Sequence, residues 1–256
     1  MKKAIFYTLV FAAIQLFMPQ LIMAVLRLIT GKEPDQSAMM LIIFMTASSL
    51  AIMALFLYFR WAEVSRSYVQ SRPWTALLWC ALAAVGAIIP STWLQEQMPE
   101  LPNILEGQFD MILKERWGYF AVGLLAPVCE ELVFRGAILR ALLCWTPRHW
   151  LAIAVSALLF ALIHANPAQM PHAFLIGLLL GWLYYRTGSV VPGVVYHWVN
   201  NSIAYIVYNL YPDPSLTLSD LFGSPRTVAA AILFSLFILL PSLYQLSLRL
   251  KKAETL

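Results

Sequence analysis

The chain has 256 residues, 61% of them hydrophobic and only 12% charged, with a formal net charge of +4 and a mean hydropathy of +0.74. A soluble domain carries about 25% charged residues, so this composition excludes one and points to an integral membrane protein. The basic residues sit mostly in short loops between apolar runs, which leaves no basic patch or stripe for nucleic acid.

A helix needs about 20 apolar residues to cross a bilayer core. Eight runs near that length follow one another, at 4–29, 37–59, 73–90, 117–139, 150–165, 171–185, 190–210 and 227–248. The first follows Lys2 and Lys3, the head of a signal peptide. However, Gln15, Pro19 and Gln20 interrupt it and no small-x-small cleavage site follows, so an uncleaved span is expected. Pro90 closes the third run. The segment 91–116 beyond it holds Pro99, Pro102 and several acids, and is expected to form a short interfacial helix at Ile104–Leu113. After the fifth run, Asn166-Pro167 begins a non-helical stretch, tolerated at membrane depth only if it lines a cavity or is buried in protein. The three cysteines, Cys80, Cys129 and Cys144, show no CxxC spacing and read as small buried hydrophobes.

The charges orient the spans. With the N-terminus inside, the inner segments carry Lys2, Lys3, Arg60, Arg66, Arg72, Arg140, Arg148, Arg186, Arg249, Lys251 and Lys252. The outer ones carry Arg27, Lys32, Lys114, Arg116 and Arg226. That asymmetry follows the positive-inside rule and makes both termini cytoplasmic. The short loops and this Lys/Arg distribution suit a bacterial inner membrane. No repeat or linker divides the chain, so the expected fold is all-α. It is a polytopic transmembrane bundle of about eight spans forming one domain, 1–256, with a polar cavity within the membrane and a motif-bearing core at 117–205.

Thirteen residues are Asp or Glu. Eleven of them (Glu33, Asp35, Glu63, Glu96, Glu100, Glu106, Asp110, Glu115, Asp213, Asp220 and Glu254) fall outside the apolar runs. The exceptions, Glu130 and Glu131, are adjacent in the fourth. A carboxylate at a bilayer's centre costs about 2.5–3.5 kcal/mol on insertion scales and usually faces a polar cavity or a partner. Glu131 and Arg135 are four apart, share a helix face and can pair. Glu130 points about 100° away and lacks that partner. An unpaired, desolvated carboxyl is suited to general acid–base work.

Two later groups add polar residues to apolar helices. Phe160 and His164 share a face near the end of the fifth run, and His197 and Asn201 share one in the seventh. His197 and Asn201 can both donate hydrogen bonds and could hold a developing oxyanion; interhelical glue is the alternative. Asn200 points off that face and reads as packing or interhelical glue. His149 and His172 read as loop or interface residues.

Taken in order, Glu130-Glu131-xxx-Arg135, Phe160-xxx-His164 and His197-xxx-Asn201 resemble the CPBP family. These are the type II CAAX prenyl proteases and their bacteriocin-processing and abortive-infection relatives. The segment from Tyr185 to Gly193, YRTGSVVPG, resembles the family's lead-in to its last motif. The resemblance implies an intramembrane endopeptidase of CAAX type, glutamate-dependent or metallo, cleaving a membrane-associated protein or peptide that is prenylated or otherwise lipidated, or unmodified. It also implies that Glu130 and His164 activate water, that His197 and Asn201 stabilise the oxyanion, and that Glu131 and Arg135 hold the architecture with Phe160 in support. The metal-free route is preferred, because no HExxH occurs and Asn201 then has a role. The alternative is zinc on Glu130, His164 and His197. Membrane lipids are the expected surroundings. A proton-coupled transporter, which intramembrane Glu and His also suit, and a non-catalytic membrane scaffold are the competing functions.

Overall fold

The computed structural model describes residues 1–35, 37–213 and 215–250; Lys251, Lys252 and Glu254 lie outside the described residues. These residues form helices and loops, with no strand among them. In chain order the helices are α1 (Lys2–Thr30), α2 (Ala38–Tyr58), a short α3 (Arg66–Gln70), α4 (Trp74–Glu96) and α5 (Glu106–Lys114). A continuous helical run then covers 116–143. It comprises α6 (Arg116–Gly118), a π-helical stretch Tyr119–Leu125, α7 (Ala126–Val133), a second π-helical stretch Phe134–Leu139, and α8 (Arg140–Leu143). α9 (His149–Ile163), α10 (Met170–Thr187), α11 (Val191–Leu210), the short α12 (Leu218–Phe222) and α13 (Pro225–Arg249) complete the chain.

Each expected span coincides with a helical segment. Four of them, α1, α2, α4 and α13, are long and apolar enough by themselves to cross a membrane. Of the remaining four, the run 116–143 and α11 carry polar motif residues, α9 has only 15 residues, and α10 ends in polar residues. The outward faces of α1 and α13 present Leu9, Phe17, Leu28, Phe234, Phe237 and Leu248 uncovered. So extended an apolar surface needs lipid around it.

Three expectations on boundaries and burial are corrected. α4 runs through Pro90 to Glu96 rather than stopping at the proline. Proline removes only one backbone donor, and the hydroxyls of Ser91 and Thr92 both donate to the Ile88 carbonyl at 2.9 Å in the same turn. Cys144 is exposed, because the helix ends there, whereas Cys80 and Cys129 are buried. In place of the helix expected at Ile104–Leu113, a helix spans Glu106–Lys114.

Small residues allow a close approach of α9 and α10. A Cβ on Gly177 would lie 2.9 Å from the Ala157 Cβ, and one on Gly181 would lie 2.9 Å from Ile153 Cγ2. With no side chain at these two positions on one face, α10 packs directly on α9. That contact aligns the ends of α9 and α10 that border the polar cavity.

Candidate active site

The run 116–143 is shaped by Pro127. In the first π-helical stretch the Ala126 N–H reaches back five residues to the Ala121 carbonyl. The next carbonyl, Val122, would take its donor from residue 127, but proline has no N–H. The Asn201 side-chain amide donates to that carbonyl instead, at 3.1 Å. π-Helical turns are rare and often occur at functional sites; here the wide turn and the proline together expose an acceptor that fixes an asparagine from α11. Further bonds hold α11 in register: Trp198 Nε1 donates to the Tyr119 hydroxyl at 3.0 Å, Tyr205 to the Glu115 carbonyl at 3.1 Å, and Tyr208 bonds Asp110.

One turn along α7, Glu131 and Arg135 are completely enclosed. Arg135 Nη1 donates to Glu131 Oε1 at 2.8 Å, with side-chain exposures of 1% and 0%. Arg135 Nη2 also reaches the Gly177 carbonyl at 3.3 Å, and the guanidinium lies 4.4 Å from the centroid of the Phe160 ring. Glu131 Oε1 has a second partner, His197 Nδ1, at 3.2 Å. A Cβ at Gly193 would come within 2.5 Å of Glu131 Oε2, so only glycine lets α11 approach this carboxylate. The carboxylate is therefore shared between a guanidinium and an imidazole, which offsets the cost of enclosing it.

Glu130 faces the other way and keeps a fifth of its side chain exposed. Its Oε2 stands 3.8 Å from His197 Nε2. The His197 ring thus lies between the two adjacent acids, one at each nitrogen. If Nδ1–H donates to Glu131, the neutral ring has a lone pair at Nε2, and donation from Nε2 requires both nitrogens to be protonated.

The end of α9 positions His164. The last N–H groups tighten to three-residue steps, His164 to Ala161 and Ala165 to Leu162. The Phe160 carbonyl is left for the His164 ring, whose Nδ1 lies 2.7 Å from it. A carbonyl only accepts, so Nδ1 carries the proton and neutral His164 presents an unprotonated Nε2. The Phe160 ring meets His164 edge-on at 4.9 Å and His197 edge-on at 5.8 Å. Ala165 then adopts a left-handed φ of 49° and turns the chain out of the helix. Asn166 is wholly buried, donating to Asn103 Oδ1 at 2.8 Å and accepting from the Ile104 N–H at 3.2 Å. Within the non-helical stretch Asn166 is thus packed against the loop before α5, whereas Ala165 is exposed.

These elements enclose a cavity of about 400 Å³. Glu130, Phe160, His164, His197 and Asn201 all line it, while Glu131 and Arg135 stand behind the wall. Two further residues border it that the sequence reading assigned elsewhere. Asn200 is buried and donates to Asn201 Oδ1 at 3.3 Å; the cavity spans more of α11 than a single ridge, so a residue 100° round the helix still reaches it. His172, read as a loop or interface residue, lies in the first turn of α10 and lines the cavity. Its signal was faint, a single polar residue opening an apolar run at a spacing of three and four from Gln169 and Ile176. His149 lies elsewhere, stacked on Tyr185 at 4.3 Å.

Glu130, His164 and His197 are the candidate zinc ligands. Among the described residues no group of three or more His, Cys, Asp or Glu is arranged to hold a metal ion. As placed, Glu130, His164 and His197 do not form such a group.

Residues 113–203 match the model of a protein family described as Type II CAAX prenyl endopeptidase Rce1-like, the family to which the three motifs are similar. No curated protein and no solved structure matches the chain. The match contains every motif residue and supports a membrane-embedded protease of CAAX type, whose substrate is a protein or peptide.

Proposed function

We propose that this chain is an intramembrane endopeptidase in which Glu130 and His164 activate water without a metal. The observation that carries the reading is the meeting of Glu130, His164, His197 and Asn201, from three separate elements, on one cavity. The unprotonated His164 Nε2 orients a water and Glu130 accepts its proton as the hydroxide oxygen bonds to the scissile carbonyl carbon. The carbonyl π electrons move to oxygen, and the oxyanion is met by the remaining amide hydrogen of Asn201 and by Nε2–H of a doubly protonated His197. Collapse breaks the C–N bond, and the proton held by Glu130 passes to the leaving amine. Glu131, shared by Arg135 and His197, keeps the oxyanion donor in place. Phe160 packs against both imidazoles.

The substrate proposed is a membrane-associated or lipidated protein or peptide, reached from surrounding lipid. Residues 1–256 act as one integral-membrane domain with 117–205 as catalytic core. The Lys/Arg distribution supports a bacterial inner membrane with both ends of the chain on the cytoplasmic side.

The test is cleavage of membrane peptides by purified protein in detergent, read by mass spectrometry. Glu130→Gln and His164→Ala are each expected to abolish cleavage while the unfolding temperature stays within a few degrees of wild type. Full activity in either variant overturns the assignment. A chelator is expected to leave activity intact; loss restored by zinc overturns the metal-free route.

A further inference from the structure

Three imidazoles border the cavity, and their hydrogen bonds divide them. His164 directs its proton at the Phe160 carbonyl and His197 Nδ1 meets Glu131, so neither neutral ring offers an N–H to a ligand. His172 is the reverse. Its Nδ1 is fully enclosed and has no hydrogen-bond partner among the described residues. A proton there would be a buried donor with no acceptor, costlier than a buried lone pair. The neutral ring therefore carries its proton on Nε2, the nitrogen not enclosed, on a side chain that lines the cavity.

Several other polar side chains on the cavity are already engaged, while the amides of Gln95 and Gln169 also border it. Tyr205 donates to the Glu115 carbonyl, Tyr208 is bound to Asp110, and Asn200 is turned to Asn201. A peptide entering the cavity brings backbone carbonyls that lose water and need donors. We propose that His172 is a substrate-binding residue whose Nε2–H donates to a backbone carbonyl oxygen of the bound peptide beside the scissile amide. The proposal rests on the reading of this cavity as a peptidase site. It assigns His172 a part in holding ground state and transition state alike, so its removal acts on KM rather than kcat.

The experiment measures binding of a fluorescein-labelled, S-farnesylated CAAX peptide to the full chain in detergent micelles by fluorescence anisotropy. It compares wild type, Glu130→Gln, His172→Phe and His172→Gln. Loss of one hydrogen bond predicts about tenfold weaker binding for His172→Phe, with His172→Gln, which keeps an N–H donor, within about threefold of wild type. Long-range ¹⁵N NMR of the histidine rings is expected to show the proton of His172 on Nε2 and that of His164 on Nδ1. Binding by His172→Phe equal to wild type, a His172→Gln variant as weak as the phenylalanine, or a proton on His172 Nδ1 each overturns the proposal. Wild-type protein that does not bind the peptide overturns the proposal for this ligand, and the peptidase reading falls with it if the protein also cleaves no other membrane peptide. Glu130→Gln that binds but does not cleave supports that reading independently of His172.

Discussion

The side-chain amide of Asn201 occupies the Val122 carbonyl at 3.1 Å, a place in the helix ladder that Pro127 cannot fill. Replacing the proline restores a competing N–H. Pro127→Ala is expected to leave the unfolding temperature unchanged or raised, since one proline in a helix interior costs about 3 kcal/mol. It is expected to lower kcat on the order of tenfold with KM nearly unchanged, because an oxyanion donor loses its orientation. Steady-state kinetics on any cleaved peptide check this; an unaltered kcat removes the link between Pro127 and Asn201.

Arg135 and Glu131 are enclosed together, so removing one strands the other. Arg135→Met is expected to cost on the order of 3–5 kcal/mol, as for other broken buried pairs. The double variant Arg135→Met/Glu131→Gln is expected to regain most of that stability without regaining activity, since His197 loses its carboxylate. Thermal unfolding in detergent followed by the cleavage assay separates the two effects.

At Gly193 a methyl group meets the Glu131 carboxylate at 2.5 Å. Gly193→Ala is expected to push α11 away from α7, costing about 1–3 kcal/mol as overpacked positions do. Activity should fall further than stability, because His197 is on the displaced helix. A fully active Gly193→Ala would show that the approach of α11 is not needed.

Outside the membrane helices, Asp220 caps α12 by accepting from the Thr217 hydroxyl at 2.6 Å and the Thr217 N–H at 2.9 Å. The hydroxyl bond first, and the backbone bond second, hold its carboxyl below the usual carboxylate range. A depressed folded value means that the cap's contribution is present above the ordinary value of about 3.9 and is lost as pH falls through the lower folded one. Hydrogen exchange at Leu218–Phe222 is expected to quicken only in that acidic window, and Asp220→Asn to quicken it at neutral pH.

Local spacing made much of this site legible, and distance in sequence hid the rest. The pairing of Glu131 with Arg135 and the contact of Phe160 with His164 are four-residue relations on one helix face, which periodicity reveals. The hydrogen bond between His197 and Glu131 joins residues 66 apart, and no local rule reports it. Glu130 was read as lacking a partner, yet the same packing sets it 3.8 Å from the far side of that imidazole. The role of Pro127 was visible as a residue type but not as a consequence, because π-helical turns have no composition of their own. His172 was passed over because one histidine opening an apolar run has no periodic partner of its kind. The eight apolar runs fall on helical segments, four of them long and apolar enough to cross a membrane, whereas Pro90 did not end α4 because a helix tolerates one missing donor.

Asn103 and Asn166 tie the loop ahead of α5 to the segment that follows His164. The turn that follows the imidazole is thus anchored by a loop 63 residues earlier in the chain, so the place of His164 depends on two distant stretches of sequence at once.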